Sequence, residues 1–156
     1  MNIEEAIKEA SQLLERKKIK SALLDSEILM SKVLKRDRKF LIMNSGYEIV
    51  DKDYKNFRKL INSRLKRKPV AYLTGLKSFW KYDFKINEKV LIPRPETELL
   101  IEKVLEYYKN KENINFLEIG IGSGCIILSI LKEKKSFLGK VLDVSKDSLK
   151  VCKVKA

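Results

Sequence analysis

The feature that most constrains the fold is a glycine-rich turn between two apolar stretches. Residues 114–119 are mostly apolar and are followed by glycine, and residues 125–131 are apolar and favour a helix. Glycines occupy positions 120, 122 and 124. Glycine adopts backbone conformations that other residues avoid, and it lets main-chain N–H groups approach a bound molecule. The pattern predicts a buried strand, a tight ligand-binding turn and a buried helix.

Two common phosphate-binding turns do not fit this pattern. A dinucleotide fingerprint requires a glycine at position 125, where Cys125 stands. A P-loop requires Gly-Lys-Ser/Thr after the turn, and no such sequence follows. A tight connection between a strand and a helix, without any ligand, is the alternative interpretation.

Two acidic residues favour a cationic cofactor that carries a ribose. Glu118 lies shortly before Gly120, and a carboxylate beside the ligand suits a positive charge better than a pyrophosphate. S-adenosylmethionine carries a sulfonium and an ammonium group. A second predicted strand, 137–142, ends at Asp143, whose carboxylate can accept hydrogen bonds from both ribose hydroxyls. The sequence therefore predicts a site for S-adenosylmethionine.

Four segments resemble known motifs. Residues 117–124, LEIGIGSG, resemble motif I of class I methyltransferases. Upstream, PVAYLTG at 69–75, FW at 79–80 and LIPRPETE at 91–98 resemble the signatures of the release-factor glutamine methyltransferases, and the last is the most specific. The resemblance covers nearly the whole chain. It implies methyl transfer from S-adenosylmethionine to the N5 atom of a glutamine side chain in a peptide chain release factor.

The resemblance also implies that the corner around Arg94 and Thr97 lies beside the cofactor pocket. No catalytic or metal-binding residue is predicted. The predicted cofactor-binding residues are Glu118, Gly120, Ile121, Gly122, Ser123, Gly124, Asp143, Arg94 and Thr97.

A motif needed for turnover is absent from these 156 residues. The resembling family uses an Asn-Pro-Pro-Tyr motif to hold the glutamine amide in line with the methyl group, but prolines occur here only at 69, 93 and 95. Positioning contributes much of the catalysis of such a transfer. We therefore expect little or no activity from this chain alone. The alternative is a non-catalytic fragment that binds the cofactor or a protein partner.

The expected fold class is α/β, with a small N-terminal helical domain, a β-hairpin connector and the truncated start of a Rossmann-like methyltransferase sheet. Residues 1–68 are predicted to form a helical partner-binding domain, 69–93 the connector and 94–156 an incomplete cofactor-binding domain. In the second helix, Ser21 is the expected cap and Leu24 lies on the expected buried face. Alternating residues predict a hairpin within 71–92, and a helix with Leu100 on one side is expected to begin at Pro95.

Composition excludes some classes of protein. The chain is 44% hydrophobic, which suits a globular fold, and it has no apolar run of the ~20 residues that a membrane span requires. We expect a cytoplasmic protein, a monomer if complete, with Cys125 and Cys152 as buried, reduced thiols. The net charge of +13 raises the alternative of a nucleic-acid-binding protein, but the excess lysines are spread over every segment. Any contact with nucleic acid is therefore expected to be indirect.

Overall fold

A computed structural model describes residues 1–153 of the chain. The chain divides into two compact units, the first being Met1–Thr74 and the second beginning at Gly75. The first unit is helical: α1 Ile3–Arg16, α2 Ala22–Leu34, α3 Arg38–Met43, α4 Asp51–Leu65 and α5 Val70–Thr74.

Two helices of the first unit, α1 and α3, begin at residues whose side chains cap a helix N–H. At the start of α1, the Asn2 side chain accepts a hydrogen bond from the N–H of Glu5, and the Glu5 carboxylate accepts one from the N–H of Asn2. This capping box satisfies two N–H groups that a helix end leaves without partners. The core is formed by Ile3, Ala6, Ile7, Ala10, Leu14, Ile19, Ala22, Leu29, Met30, Leu41, Ile49, Phe57, Ile61 and Leu73.

Helix α2 buries a different face from the predicted one. Leu24 is exposed, whereas the neighbouring Asp25 is buried. The Asp25 carboxylate accepts hydrogen bonds from Nε of Arg64 at 2.7 Å and from the hydroxyl of Ser21 at 2.9 Å. Ser21 thus stands at the expected N-cap position but donates to Asp25 and caps no helix N–H. A pattern based on apolar residues alone missed this buried ion pair.

The predicted hairpin is confirmed but is shorter than expected. Residues 70–74 form α5, because the carbonyl of Pro69 accepts the N–H groups of Tyr72 and Leu73 and starts a helical turn. Pro69 therefore begins a short helix, as proline readily does, at the point where the connector was predicted to start. The two hairpin strands are β1 Leu76–Phe79 and β2 Tyr82–Lys85.

The second unit also contains a parallel strand pair. Among residues 75–153 the elements after the hairpin are a 3₁₀ turn Pro95–Thr97, α6 Glu98–Tyr107, β3 Asn115–Ile119, α7 Cys125–Glu133, β4 Leu138–Leu142 and α8 Lys146–Lys153. β3 and β4 pair in parallel, with Asn115 opposite Leu138 and Ile119 opposite Leu142. The α/β fold class, with a helical N-terminal part, a hairpin and the start of a parallel sheet, is confirmed.

Two details of the second unit differ from the prediction. Helix α6 buries Ile101, whereas Leu100, which lies on the predicted apolar side of this helix, is exposed. Strand β3 is not buried on both sides, because Leu117 and Ile119 are exposed. The expectation of a buried strand assumed cover on both faces of the sheet, and among the described residues β3 has only β4 as a neighbouring strand.

Candidate functional site

The glycine turn adopts the conformation that its sequence requires. Gly120, Gly122 and Gly124 have positive φ angles of 78°, 52° and 74°, a region that residues with a side chain rarely occupy. A Cβ atom built on Gly120 or Gly122 would meet nothing within 4 Å, so there is open space beside both residues. A Cβ on Gly124 would lie 2.8 Å from Sγ of Cys152. The first two glycines border open space, and the third permits close packing of α8.

The Asp143 carboxylate is hydrogen-bonded to the glycine turn. Because β3 and β4 are parallel, their C-terminal ends meet at one edge, which brings Asp143 next to the turn. Its Oδ2 accepts the N–H of Gly122 at 3.1 Å, and its Oδ1 accepts the N–H of Ser145 at 2.7 Å. These hydrogen bonds, that of Ser145 first, lower the pKa of the Asp143 carboxyl. The carboxylate is therefore ionised at neutral pH and retains acceptor capacity, since each oxygen can accept two hydrogen bonds.

Glu118 lies on the other side of the turn, where its carboxylate meets the start of α7. Its Oε2 accepts the N–H of Ile127 at 2.9 Å. Burial raises the pKa of Glu118 to about 7, and the hydrogen bond from Ile127 opposes part of this rise. Near pH 7 the site thus holds a carboxyl group that is close to half protonated. A nearby cation would favour the ionised form.

The remaining predicted residues of the turn contribute in another way. The side chains of Ile121 and Ser123 are buried, and the Ile121 carbonyl accepts the N–H of Gly124 at 2.8 Å. These residues hold the shape of the turn. The structure therefore brings together seven of the nine predicted residues: Glu118, Gly120, Ile121, Gly122, Ser123, Gly124 and Asp143.

Arg94 and Thr97 lie on a different element, at the 3₁₀ turn before α6. The Thr97 N–H donates to the Arg94 carbonyl at 3.1 Å, and the Arg94 side chain is exposed. Within residues 1–153, neither residue forms a hydrogen bond with the glycine turn. Their assignment to the cofactor pocket stays a prediction.

Two carboxylates that the sequence pattern did not reveal hold the tip of the hairpin. The Trp80 backbone N–H donates to Glu98 of α6 at 2.9 Å, and its indole Nε1 donates to Glu133 of α7 at 3.0 Å. Glu133 also accepts the Tyr82 hydroxyl at 3.1 Å and the Lys81 ammonium at 3.0 Å. The hydrogen bonds from Lys81 and Trp80 lower the pKa of Glu133. No spacing in the sequence marks Glu133, because its partners lie about fifty positions away.

No helix within residues 1–153 is both long and apolar enough to cross a membrane. No group of three or more His, Cys, Asp or Glu side chains in the same range is placed to hold a metal ion.

Comparison with known proteins identifies the family. Residues 5–75 match the model of the PrmC N-terminal domain. The chain is 40% identical to a release factor glutamine methyltransferase of Clostridium acetobutylicum over 99% of its own length and 54% of the relative's. It is 40% identical to one from Leptospira interrogans, covering 93% and 51% of the two chains. It is 35% identical to one from Coxiella burnetii, covering 100% of this chain and 56% of the relative.

The chain belongs to the release factor glutamine methyltransferase family. It corresponds to an N-terminal portion, and it spans about half the length of the curated family members it matches. The matched N-terminal domain ends at residue 75, next to the end of the first structural unit at Thr74. The glycine turn therefore lies in the second unit, outside that matched domain.

Proposed function

We propose that the glycine turn binds S-adenosylmethionine, and that the chain serves release factor N5-glutamine methylation. The observation that carries this proposal is the placement of Glu118 and Asp143 on either side of three glycines with positive φ. S-adenosylmethionine supplies a methyl group activated by its sulfonium sulfur. The family relatives are named for glutamine methylation of a release factor, and methylation requires such a donor.

The residues of the site fit this cofactor by charge and by space. The ionised Asp143 has acceptor capacity for the two ribose hydroxyls, beyond its hydrogen bonds to the turn. Glu118 provides negative charge for a cation, and a bound cation favours its ionised form. The open space beside Gly120 and Gly122 leaves room for the cofactor against the main chain. Arg94 and Thr97 complete the proposed pocket.

We assign roles to three parts of the chain. Residues 1–68 are the helical part that contacts the release factor, 69–93 are the connector, and 94–156 are the cofactor-binding part. A groove with a volume of about 420 Å³, whose lining includes Ile7, Leu23 and Ile42, lies on the first of these parts. The full methyl transfer needs groups that hold the glutamine amide, and these 156 residues contain no Asn-Pro-Pro-Tyr.

This absence favours a second candidate function. On its own, the chain acts as a binding module that retains the cofactor site and performs no transfer. A methylation assay with a purified release factor and labelled S-adenosylmethionine separates the two candidates. Transfer above background by the 156-residue chain alone would refute the binding-module alternative.

The cofactor proposal is tested by calorimetric titration of S-adenosylmethionine into the purified chain. Asp143→Asn removes a charged acceptor, so we expect binding to weaken about tenfold or more, as charge-assisted hydrogen bonds contribute ~1.5–3 kcal/mol. Asp83→Asn, an exposed aspartate in β2 of the same unit, is the matched control and should bind normally. Absence of saturable binding by the folded chain, or unchanged binding by Asp143→Asn, would refute the proposal.

A further inference from the structure

Helix α4 of the first unit presents a continuous positively charged face to solvent. The exposed residues of this helix after its first position, together with the residue at its C-cap, all carry a positive charge or an amide: Lys52, Lys55, Asn56, Lys59, Asn62 and Lys66. Their spacing places them on one side of the helix, because residues three and four positions apart are neighbours on a helix surface. We call these side chains the basic face. From Lys52 to Lys66 it extends about 21 Å along the helix axis.

The fold brings further cations to the C-terminal end of the basic face. The guanidinium of Arg67 donates a hydrogen bond to the Lys17 carbonyl at 2.6 Å, which joins the turn after α4 to the turn after α1. The side chains of Lys17, Lys18 and Lys20 in the second of these turns are exposed. They therefore continue the positively charged surface beyond α4, although they lie far from it in the sequence.

The lysine-rich composition does not by itself produce such a face. In the same unit, the exposed side of α1 mixes cations with glutamates: Glu4, Glu5 and Glu15. The two acids of α4, Asp51 and Asp53, lie in its first turn, at the opposite end from Arg67. Glu9 of α1, which also reaches α4, is paired with Arg58. The even spread of lysine along the sequence therefore does not extend to the surface of the folded unit.

The chemistry of the basic face suits a nucleic-acid backbone better than a protein surface. Residues 51–68, all of which the structure describes, expose no large hydrophobic side chain. Protein interfaces are enriched in aromatic residues and depleted of lysine. Proteins that bind single-stranded nucleic acid stack the bases on exposed aromatic rings. A face that offers neither feature is suited to contacts with phosphates, which lysine side chains make in nucleic-acid complexes.

We propose that the basic face binds the backbone of double-stranded RNA. Its lysines contact phosphates along the helix, and the amides of Asn56 and Asn62 contact 2′-hydroxyl groups. An amide side chain both donates and accepts hydrogen bonds, as a 2′-hydroxyl does, and this hydroxyl distinguishes RNA from DNA. Duplex RNA is recognised mostly by its shape and through its phosphates and 2′-hydroxyls. Binding requires no methyl donor, so this inference holds or fails independently of the proposed function.

The test is fluorescence anisotropy of a labelled RNA duplex, titrated with the purified 156-residue chain at several salt concentrations. We expect saturable binding that weakens as salt rises. The triple variant Lys55→Gln, Lys59→Gln and Lys66→Gln should weaken binding about tenfold or more. It should also reduce the slope of log affinity against log salt by about 3, since each lost phosphate contact lowers this slope by roughly 1.

A matched variant separates the basic face from net charge. Lys8→Gln, Lys35→Gln and Lys39→Gln together remove the same charge from exposed positions elsewhere in the first unit, and this variant should bind RNA nearly as well as wild type. Circular dichroism should show wild-type folding for both triple variants, since lysine and glutamine have similar helix propensities. A DNA duplex of the same sequence lacks the 2′-hydroxyls and should bind more weakly than the RNA.

Four results would each overturn the proposal. The first is the absence of saturable RNA binding by the folded chain, and the second is equal RNA affinity of the two triple variants. The third is equal affinity for the RNA and DNA duplexes. The fourth is displacement of the labelled RNA by polyglutamate as readily as by unlabelled RNA, because an acidic protein surface would then suit the basic face equally well.

Discussion

Replacing Glu118 with glutamine should change how the stability of the second unit depends on pH. In the folded chain, burial raises the pKa of Glu118 to about 7, compared with its ordinary value of 4.5. The folded state therefore binds the proton more tightly than the unfolded state. Stability from this group is fully present below pH 4.5 and is lost as the pH rises toward 7. Glutamine keeps an acceptor for the Ile127 N–H and cannot ionise.

The size of the effect follows from the pKa difference. A rise from 4.5 to about 7 corresponds to at most ~3.4 kcal/mol of folding free energy. Water reaches the partly buried carboxyl and screens its charge, so we expect about 1–2 kcal/mol. Relative to Glu118→Gln, the wild-type chain should lose this amount of stability between about pH 5 and pH 8.

Urea unfolding at the two pH values measures this difference. Trp80 is the only tryptophan and belongs to the second unit, so its fluorescence reports on the unit that contains Glu118. Taking the difference between wild type and variant at each pH cancels the titration of all other groups. Glu112→Gln, at an exposed position before β3, provides the matched control. Parallel pH profiles for wild type and Glu118→Gln would refute the assigned burial of this carboxyl.

Two further predictions concern stability, and a third concerns the fluorescence of Trp80. Arg64→Met leaves the Asp25 carboxylate, which is 7% exposed, without its ion-pair partner, so chemical unfolding of the first unit should show a loss of ~3–5 kcal/mol. Arg58→Met breaks the half-exposed ion pair with Glu9 and should cost less than about 1 kcal/mol. Similar losses for the two variants would contradict the account. Gly120→Ala and Gly124→Ala each place alanine in the left-handed region, which costs ~1–2 kcal/mol of stability. Gly124→Ala should cost more than this, because only its Cβ meets Cys152, and adding Cys152→Ala should recover part of the extra loss. Equal losses for the two glycine variants would contradict this packing. Glu133→Ala removes the carboxylate that accepts the Trp80 indole N–H, so the emission maximum of the folded protein should shift, and an unchanged spectrum would contradict that contact.

The sequence predicted the elements that local rules determine. The strand, glycine turn and helix around residues 115–133 were predicted because apolar runs and glycines have direct backbone consequences. The closeness of Asp143 to Gly122 followed from parallel pairing, which brings the ends of both strands to one edge. These features depend on neighbours in sequence or on a general rule of sheet topology.

Features that depend on distant partners could not be predicted in the same way. Asp25 is buried because Arg64, far along the chain, reaches it, and no local pattern distinguishes this aspartate from a solvated one. Glu133 meets Trp80 only after the hairpin folds back against α7. The raised pKa of Glu118 arises from its burial, which sequence spacing does not reveal. Such contacts require the tertiary structure.

The central claim is that S-adenosylmethionine binds at the glycine turn. A titration followed by amide resonances of ¹⁵N-labelled chain locates the binding site directly. We predict saturable shifts at Gly120, Gly122 and Ser145, with no change at Gly46 in the helical unit. Saturation without shifts at the turn, or shifts confined to the first unit, would contradict the account.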